Sequence, residues 1–570
     1  MPETEQKETA TKEKPIFKVV LVALLLIQAS LLTYLSWSTS PNRTEVGHLG
    51  AAVYFWNFGK FDVFHVNPPL VRIITGAPIA LFCKPKYDWK AHSTRPLARS
   101  EWPLGNTFLS INNIDDIRCY MFLARLACVP LVLLGGYIGF RFASELYGEW
   151  SGVVFLTLWT FSPLILGWGA TICPDVAAAS MGIVGLYTFW HWLKNPGWQK
   201  AIIAGICLGL MPLAKTTWIL AFPLWVGLWL AWQLASPGKE RVWKTGQLLT
   251  VLLVGVYFLN MGYMFEGTCR PLEKYQFASE TLSGNQIENE VILGNRFENS
   301  WLGKLPVPLP KEFVQGIDTQ KRDFEKGFES YLCGQYSDRG WWLYYLYVIA
   351  LKEPVGTLVL GVAALLATFF CRRFNSSLRN EMLLVLPAVG LFLFISSQSG
   401  ISLHGRYIVP VLPLLYVWMS KLGKAFEWRG GLCKYVVILC LIGMAGSSLY
   451  RYPYSLSYFN ELVGGPAHGG EYLLGSAVDW GQDEYELRDW IKRHPDAKPL
   501  YITYQPSIPL SNLGVSYSGP VPEKPVEGWM VLGINDLYRR DGRYAEYREL
   551  RPAARIGWGI VVFRAEFSEK

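Results

Sequence analysis

The residues best suited to chemistry lie at the edges of long apolar stretches. Glu45 and His48 follow the first such stretch, in the sequence Thr44-Glu45-Val46-Gly47-His48. If a helix begins here, a spacing of three residues places both side chains on one face. A partly desolvated carboxylate at a membrane surface can act as a general base toward a hydroxyl. The alternative is that Glu45 only caps or solvates the start of a helix.

A second acid, Asp175, follows Pro174 where another apolar stretch begins. Proline in the first turn with an acid beside it suits a helix N-terminus, which is a purely structural role. The functional interpretation is an acid in a cavity at the membrane edge that holds an acceptor or a metal. Both interpretations stay open from the sequence.

Several cations at similar positions could bind a phosphate. His404-Gly405-Arg406-Tyr407 begins a late apolar stretch, and Lys215 lies in a tight turn between two others. Lys352 precedes Glu353-Pro354, and Arg72 follows the rigid Asn67-Pro68-Pro69-Leu70 kink. Arginine offers phosphate a planar fork of donors. At a membrane edge, however, the same long side chains can extend to lipid headgroups instead.

The elements that position these residues are predicted to be membrane helices. The 570-residue chain is 51% hydrophobic and 15% aromatic, with only 17% charged residues, which is more apolar than a typical soluble protein. The formal charge of +8 comes from basic residues beside apolar stretches, without a nucleic-acid motif. We therefore expect membrane lipids as partners and no nucleic acid.

About eleven stretches approach the ~20 apolar residues that a spanning helix needs. The first, from Ile16 to about Trp37, is too long for a signal-peptide core and is interpreted as a retained helix. The predicted spans are roughly 17–37, 119–142, 151–169, 175–193, 199–213, 216–235, 245–264, 354–371, 381–397, 406–421 and 433–451.

Orientation follows from four basic loops that fall on one face if there are eleven spans and the N-terminus is cytoplasmic. The odd number of spans then places the C-terminus outside. The basic residues are Lys194 and Lys200; Lys239, Arg241 and Lys244; Arg372, Arg373 and Arg379; and Lys421, Lys424, Arg429 and Lys434.

The predicted fold is mainly α, a polytopic membrane protein with a small α/β domain. We expect a cytoplasmic tail at 1–15, a transmembrane domain at 16–451 with outer loops 38–118 and 265–353, and an extracytoplasmic domain at 452–570. In that last domain, short β-like runs (Leu500 to Tyr504, Trp529 to Leu532, Gly559 to Phe563) accompany a helix near Asp483 to Lys492.

Other signals are weaker. The ten cysteines show no CxxC or metal-like spacing, although Cys269 and Cys333 share an outer loop where a disulfide could form. Outer acids could hold a divalent cation, but no ligand cluster is evident. The polar segment Asp479-Trp480-Gly481-Gln482-Asp483 is typical of a helix cap. The absence of a Gly-rich phosphate loop, HExxH and GxSxG argues against nucleotide-driven chemistry.

Together, these motifs resemble the integral-membrane, GT-C fold glycosyltransferases of family 39, which include protein O-mannosyltransferases and aminoarabinose transferases. The likeness covers nearly the whole chain and is greatest to a bacterial subgroup with an outer C-terminal domain. Its residues are Thr44 to His48, Val66 to Leu70, Cys173 to Asp175, His404 to Tyr407 with Pro410 and Pro413, Tyr458 to Glu461, Gly464 to Pro466, and Asp479 to Asp483.

The resemblance implies transfer of a hexosyl or pentosyl group from a polyprenyl-phosphate donor to an extracytoplasmic hydroxyl, with inversion, in a bacterial inner membrane. Glu45 or Asp175 would take the acceptor proton; Arg406, Lys215 and Arg72 would bind the leaving phosphate. His48, Asn67, Lys352, His404 and Tyr407 complete the expected substrate-binding set. The isoprenoid would lie near the aromatic run Trp341 to Tyr347. The acceptor could be protein, lipid or glycan.

One departure from the family pattern leaves alternatives open. Where the first-loop motif begins with Asp, this chain has Thr44. Glu45 or Asp175 could replace that acid as base, or the chain could be a catalytically silent homologue. A transporter or lipid flippase is a further alternative. It would favour polar residues within the spans and symmetric halves, whereas here the notable charges lie at the outer edges, the outer loops are large and no internal repeat is visible.

Overall fold

The computed structural model describes residues 15–93, 95, 97–238, 241–286, 291–428 and 431–565, so the predicted 1–15 tail lies almost wholly outside them. The described chain is mainly helical. Its α-helices are α1 Pro15–Ser38, α2 Arg43–Phe58, α3 Leu70–Phe82, α4 Glu101–Ile111, α5 Ile114–Leu126, α6 Val129–Tyr147, α7 Glu149–Phe161, α8 Pro163–Gly169, α9 Pro174–Lys194, α10 Trp198–Ala214, α11 Ala221–Leu234, α12 Thr245–Met261, α13 Glu280–Ser283, α14 Lys311–Lys326, α15 Tyr344–Lys352, α16 Val355–Phe370, α17 Leu378–Ser397, α18 Leu412–Met419, α19 Cys433–Arg451, α20 Glu484–Arg493 and α21 Ile534–Leu537.

Each of the eleven predicted stretches is helical. Seven continuous helical segments of the described chain are long and apolar enough to cross a bilayer, and two pairs bent at a short break, α7 with α8 and α15 with α16, raise the number to nine. The predicted spans at 199–213 and 245–264 correspond to α10 and α12, which have 17 residues each and fall below that length. The count of eleven is therefore not confirmed.

The spanning helices carry exposed apolar side chains. Only 22% of α1 and of α19 is buried inside the protein. Phe369, Phe370 and Leu439 are 72%, 79% and 68% exposed. In water such a surface would be costly, whereas hydrocarbon tails solvate it. The protein is thus a mainly helical, multi-pass membrane protein.

The basic loops lie at one end of this helix bundle. Lys194 ends α9, Arg241 and Lys244 lie between α11 and α12, and Arg379 begins α17. Asp175 and Lys215 lie at the opposite ends of α9 and α10. This arrangement agrees with the positive-inside pattern, although the orientation itself stays a prediction.

The segment between α1 and α5 contains three packed helices, α2, α3 and α4. Asn42 caps α2: its side chain accepts hydrogen bonds from the backbone amides of Thr44 and Glu45, and the Glu45 side chain returns to the Asn42 amide. Helix α2 packs against α3 and α4. The crossing with α4 is so close that a Cβ at Gly105 would lie 2.2 Å from the Val46 carbonyl oxygen.

The segment between α12 and α15 contains two small antiparallel strand pairs and the amphipathic helix α14. The strands are β1 Arg270–Pro271 with β2 Pro306–Val307, and β3 Ser330–Leu332 with β4 Gln335–Ser337. Helix α14 contacts the 3-10 helices Thr216–Leu220 and Ser399–Ile401 at the ends of membrane helices. Cys269 and Cys333 are both free and exposed, so the structure has no disulfide between them.

The C-terminal part contains a mixed four-stranded sheet of order β5-β6-β8-β7. Strands β5 and β6 are parallel and the other pairs are antiparallel. Strands β5, β6 and β8 and helix α20 occupy the predicted β-like runs and helix, β7 was not predicted, and the domain boundary at 452 stays a prediction. The strands are β5 Leu500–Thr503, β6 Gly528–Gly533, β7 Ala554–Ile556 and β8 Ile560–Ala565.

The segment Asp479–Asp483 joins this part to the first outer loop. The Ser40 amide donates to the Gln482 carbonyl at 3.1 Å, and the Arg43 amide donates to the Trp480 carbonyl at 2.9 Å. The Ser40 hydroxyl donates to the Gly481 carbonyl at 2.7 Å. Two chain segments more than 400 residues apart therefore share a backbone hydrogen-bonded contact beside α2.

Candidate active site

Glu45 is a fully buried anchor. Its two oxygens accept four hydrogen bonds: from Arg125 Nε at 2.8 Å and Nη2 at 2.6 Å, from the Ile172 amide at 2.8 Å, and from the Asn42 amide at 2.9 Å. Arg125 in turn donates to the carbonyls of residues 36, 39 and 40. This buried pair thus fixes the end of α1, the start of α2 and the loop before Asp175.

Asp175 lies at the other end of that loop, in the first turn of α9. One carboxylate oxygen forms an ion pair with Lys215 Nζ; the other lies 3.4 Å from Arg406 Nε and accepts from Cys173 Sγ at 2.7 Å. Asp175 is only 1% exposed, and Lys215 and Arg406 are 6% and 7% exposed. A single carboxylate therefore bridges two nearly buried cations.

Thr44 and Trp480 lie next to Arg406 of this cation pair. Arg406 Nη1 donates to Thr44 Oγ1 at 2.5 Å, and Trp480 Nε1 donates to the same oxygen at 2.8 Å. The Thr44 hydroxyl proton is left to donate to another group. The residue that departs from the family motif therefore lies at the meeting point of the early, late and C-terminal segments.

Thr44, Arg406 and Trp480 line a cavity of about 770 Å³. This volume lies within the range of small-molecule sites, about 300–1,000 Å³. Its wall includes the predicted residues Asn67, His404, Arg406 and Tyr407, together with Thr44. It also includes residues that the sequence interpretation missed, namely Arg43, Arg99, Asp323 and Trp480.

An apolar groove of about 140 Å³ begins beside this cavity. Tyr407 lines both spaces, and Lys215 lines the groove with its ammonium 4.4 Å from the Tyr407 ring centre. The rest of the wall comes from the Thr216–Leu220 turn, α14 and the end of α17, with Ile219, Leu220, Ile317, Phe324, Phe394 and Ile395 as its apolar side chains. The predicted aromatic run, Trp341 to Tyr347, does not line this groove.

His48 and Arg72 lie close to the 770 Å³ cavity without lining it. His48 is completely buried, packs on Phe64 with ring centres 4.8 Å apart, and has no hydrogen-bond partner in the described chain. Burial, with smaller contributions from Arg72 and Arg406, lowers the pKa of His48 well below its usual value. The ring is therefore neutral. Arg72 Nη2 donates to the Asn67 carbonyl at 2.6 Å.

His404 also stays neutral, since burial and the charges of Arg406 and Lys215 lower its pKa well below 6.5. Its ring meets Trp480 edge to face, with centres 5.1 Å apart. His404 can therefore orient a neighbouring hydroxyl but does not add positive charge to the cavity.

Lys352 lies apart from the cavity and the groove. Its ammonium donates to the carbonyls of Leu456 at 2.8 Å and Ala477 at 2.6 Å and lies over the Phe459 ring. These contacts tie α15 to the C-terminal part of the chain. The structure thus gathers Asp175, Lys215, His404, Arg406 and Tyr407 into one cluster and leaves Lys352 outside it.

The described residues provide no ligand set for the divalent cation that the sequence left possible. Among the residues that the structure describes, no group of three His, Cys, Asp or Glu side chains converges. Asp323, an acid in the cavity wall, pairs with Arg99 at 2.9 Å. No step is therefore assigned to a metal.

Comparisons with known proteins returned only distant structural likenesses. No family model matches the chain, and a search of curated proteins also found no match. ArnT from Cupriavidus metallidurans, bound to undecaprenyl phosphate, is 13% identical with a TM-score of 0.46 and covers 96% of this chain and 97% of its own. The oligosaccharyltransferase AglB from Archaeoglobus fulgidus is 14% identical with a TM-score of 0.45, covering 84% and 58%.

A third likeness is the arabinofuranosyltransferase AftD from Mycobacteria, at 11% identity and a TM-score of 0.39, covering 91% of this chain and 35% of its own. Two of these proteins are named as transferases of sugars, the class that the sequence resemblance indicates. At these identities and TM-scores, the likenesses establish no function for this chain.

Of two residues that the sequence interpretation missed, only Arg125 had a usable signal. Arg125 lies inside the predicted span 119–142, where an ionisable residue calls for a buried partner. Trp480 belongs to the polar segment that was interpreted as a cap. Nothing in the sequence indicated that its indole would reach Thr44.

Proposed function

We propose that the protein is a GT-C-type membrane glycosyltransferase that moves a sugar from a polyprenyl-phosphate donor to an acceptor hydroxyl. One observation carries the proposal: an apolar groove ends at Lys215, which shares Asp175 with Arg406 in the wall of a polar cavity. A lipid chain in the groove would place its phosphate between the two cations and its sugar in the cavity.

The cation pair suits the leaving group of this reaction. Negative charge develops on the lipid phosphate as its bond to the anomeric carbon breaks. Lys215 and Arg406 are nearly buried, so their hydrogen bonds to that phosphate would be stronger than in water. The bound phosphate would replace Asp175 as the partner of both cations.

Asp175 is then the better placed of the two predicted catalytic acids. Once the cations turn to the phosphate, its carboxylate can accept the acceptor proton directly or through one water. Attack from the side opposite the phosphate inverts the anomeric centre. Glu45 already accepts four fixed hydrogen bonds. We therefore assign Glu45 to positioning the loop before Asp175.

Thr44, His404 and Tyr407 would orient the sugar and the acceptor, because they line the cavity between these groups. We propose that the cavity faces the extracytoplasmic side of a bacterial inner membrane, since the basic loops lie at the opposite ends of the helices. The transferred group would be a hexosyl or pentosyl unit.

The test uses protein in lipid nanodiscs with a panel of polyprenyl-phosphate sugars, and measures release of free polyprenyl phosphate. We expect Asp175→Asn to lower release about 100-fold or more, within the range of general-base effects. Glu45→Gln should reduce the yield of folded protein instead. Asp115→Asn, on the exposed surface of α5, is the matched control and should release donor normally.

Three other outcomes would contradict the proposal. Equal release by wild type and Asp175→Asn would remove Asp175 from the chemistry. Donor binding without release, with any acceptor, would identify the silent homologue that Thr44 permits. Movement of intact donor lipid across the bilayer would instead indicate a flippase.

A further inference from the structure

A second outer cavity, of about 720 Å³, adjoins the proposed transfer cavity. It lies between the β3–β4 hairpin and the C-terminal part of the chain. Arg43, Leu403 and Trp480 line both cavities. A molecule bound in the second cavity could therefore extend past Trp480 toward Arg406.

Two buried carboxyls line this second cavity. Asp479 and Asp536 are 5% and 6% exposed. In the described chain no cation lies within ion-pair distance of Asp479, whose Oδ1 accepts from the Gly481 amide at 3.0 Å and Tyr504 Oη at 3.3 Å. Asp536 is 3.8 Å from Arg539. Burying such groups is costly unless they bind a donor.

The surroundings of the two carboxyls favour a hydrogen-bonding ligand over a charged one. Burial raises the pKa of Asp479 and of Asp536 to about 6. The lining contains four acids, Glu329, Asp479, Asp536 and Asp541, against three arginines, Arg43, Arg539 and Arg540. Because these charges nearly balance, the cavity does not select a strongly cationic molecule.

Aromatic side chains complete the lining. Tyr331 and Tyr336 lie on the β3–β4 hairpin, and Trp480 lies opposite at the passage to the transfer cavity. The Tyr331 hydroxyl donates to the Glu471 carbonyl at 3.1 Å, and the Tyr336 hydroxyl donates to the Tyr538 carbonyl. Both hydroxyls are thus satisfied by the protein, which leaves the rings as apolar surface.

We infer that this cavity binds a neutral oligosaccharide as the acceptor of the transfer. Sugar hydroxyls would donate to Asp479 and Asp536, and the C–H faces of the sugar rings would pack on Tyr331, Tyr336 and Trp480. The role of the glycan as the acceptor rests on the proposed function, but glycan binding can be measured independently of transfer.

The experiment measures binding of the full-length protein in nanodiscs to immobilised neutral oligosaccharides of two to six sugars, from gluco-, galacto-, manno- and N-acetylhexosamine series. Ser- and Thr-containing peptides are presented beside them. We expect retention on at least one oligosaccharide series, and at least tenfold weaker retention for Asp536→Asn. Asp489→Asn, an exposed acid on α20, is the matched control and should bind as wild type does.

Tyr336→Leu gives an independent readout, because it removes a half-buried ring without touching the carboxyls. It should weaken the same retention while thermal unfolding stays close to that of wild type. Retention on no oligosaccharide, preference for peptides, or retention unchanged by both variants would overturn the inference.

Donor-dependent release of polyprenyl phosphate is measured on the wild type in parallel. Glycan retention without any release of polyprenyl phosphate would contradict the proposed transferase activity, and the cavity would remain a glycan-binding site. Release without glycan retention would contradict this acceptor site and leave the transferase. The two proposals can therefore fail separately.

Discussion

The two predicted catalytic acids, Glu45 and Asp175, occupy opposite kinds of environment. Glu45 accepts four hydrogen bonds from Arg125 and two backbone amides, all on fixed elements. Asp175 is held by the side chains of Lys215 and Arg406, which also border the groove and the cavity. A carboxylate that holds the fold together needs partners on fixed elements. A carboxylate in a ligand site needs partner cations that can bind the ligand instead.

Breaking the fixed pair should have the largest effect. Arg125→Met leaves the Glu45 carboxylate buried without its cation, which costs about 3–5 kcal/mol when one partner of a buried pair is removed. We expect loss of monodisperse protein in detergent and a large fall in the thermal unfolding temperature. Arg118→Met, at a half-buried position on the same helix, removes one hydrogen bond to the Trp37 carbonyl but leaves no buried charge unpaired, so it should cost much less. Equal behaviour of the two variants would mean that Glu45 is not the anchor.

Removing an exchangeable partner should leave the fold and weaken the ligand. Lys215→Met is expected to lower the affinity for farnesyl phosphate about 10-fold or more, because a charge-assisted hydrogen bond contributes roughly 1.5–3 kcal/mol. Affinity for farnesol, which has no phosphate, should stay the same. Lys321→Met, in the same groove but paired with Glu325 at 3.7 Å, is the control. A matching loss for farnesol would indicate a collapsed groove.

A smaller effect is expected where the two regions meet. Trp480→Phe keeps a ring but removes the hydrogen bond to Thr44, which contributes about 0.5–1.5 kcal/mol. Donor release should fall several-fold while farnesyl phosphate affinity changes less than twofold. Trp529→Phe, on the C-terminal sheet, provides the matched substitution. If farnesyl phosphate binding fell as much as release, Trp480 would be supporting the phosphate site.

The smallest effect concerns pH. The pKa of Asp536 is about 6 in the folded protein, above the usual value of 3.8, so the folded state binds more protons between these values. Its contribution to stability is therefore present at low pH and is lost as pH rises through 6. Between pH 5 and 6.5 the loss should approach ~1 kcal/mol. Because Asp479 also has a pKa of about 6 and adds its own slope, Asp536→Asn should reduce the slope in thermal unfolding without abolishing it. An unchanged slope would exclude Asp536 as a source.

The comparison also shows what the sequence can and cannot predict. Apolar stretches became helices, and three β-like runs became β5, β6 and β8, because both depend on local patterns. Asp175, Lys215 and Arg406 were predicted as candidates since each lies at the outer end of a predicted span. Position along the chain was enough to mark them as candidates, and the structure brings the three side chains together, while their chemical roles stay predictions.

Contacts between residues far apart along the chain could not be predicted from the sequence. Glu45 and Arg125 are 80 residues apart, and Thr44 and Trp480 are 436 residues apart. No local sequence pattern distinguishes the two acids. Glu45 accepts four hydrogen bonds from fixed groups, whereas Asp175 pairs with the side chains of Lys215 and Arg406. The apolar groove beside Lys215 lies against α14 and not at the aromatic run, because the packing of α14 on the membrane helices decides which surface stays open. The predicted place of the isoprenoid near the aromatic run stays a prediction.

The contact of Ser40 and Arg43 with the Asp479–Asp483 segment has a consequence for biogenesis. The ribosome makes the first half of the site early and its closing wall about 440 residues later. Until that late segment has been synthesised, the groove beside Lys215 can form but the adjoining cavity lacks Trp480. Under the proposed function, a chain that stalls before Trp480 would hold a lipid donor without the wall needed to use it, which delays the chemistry until synthesis is complete.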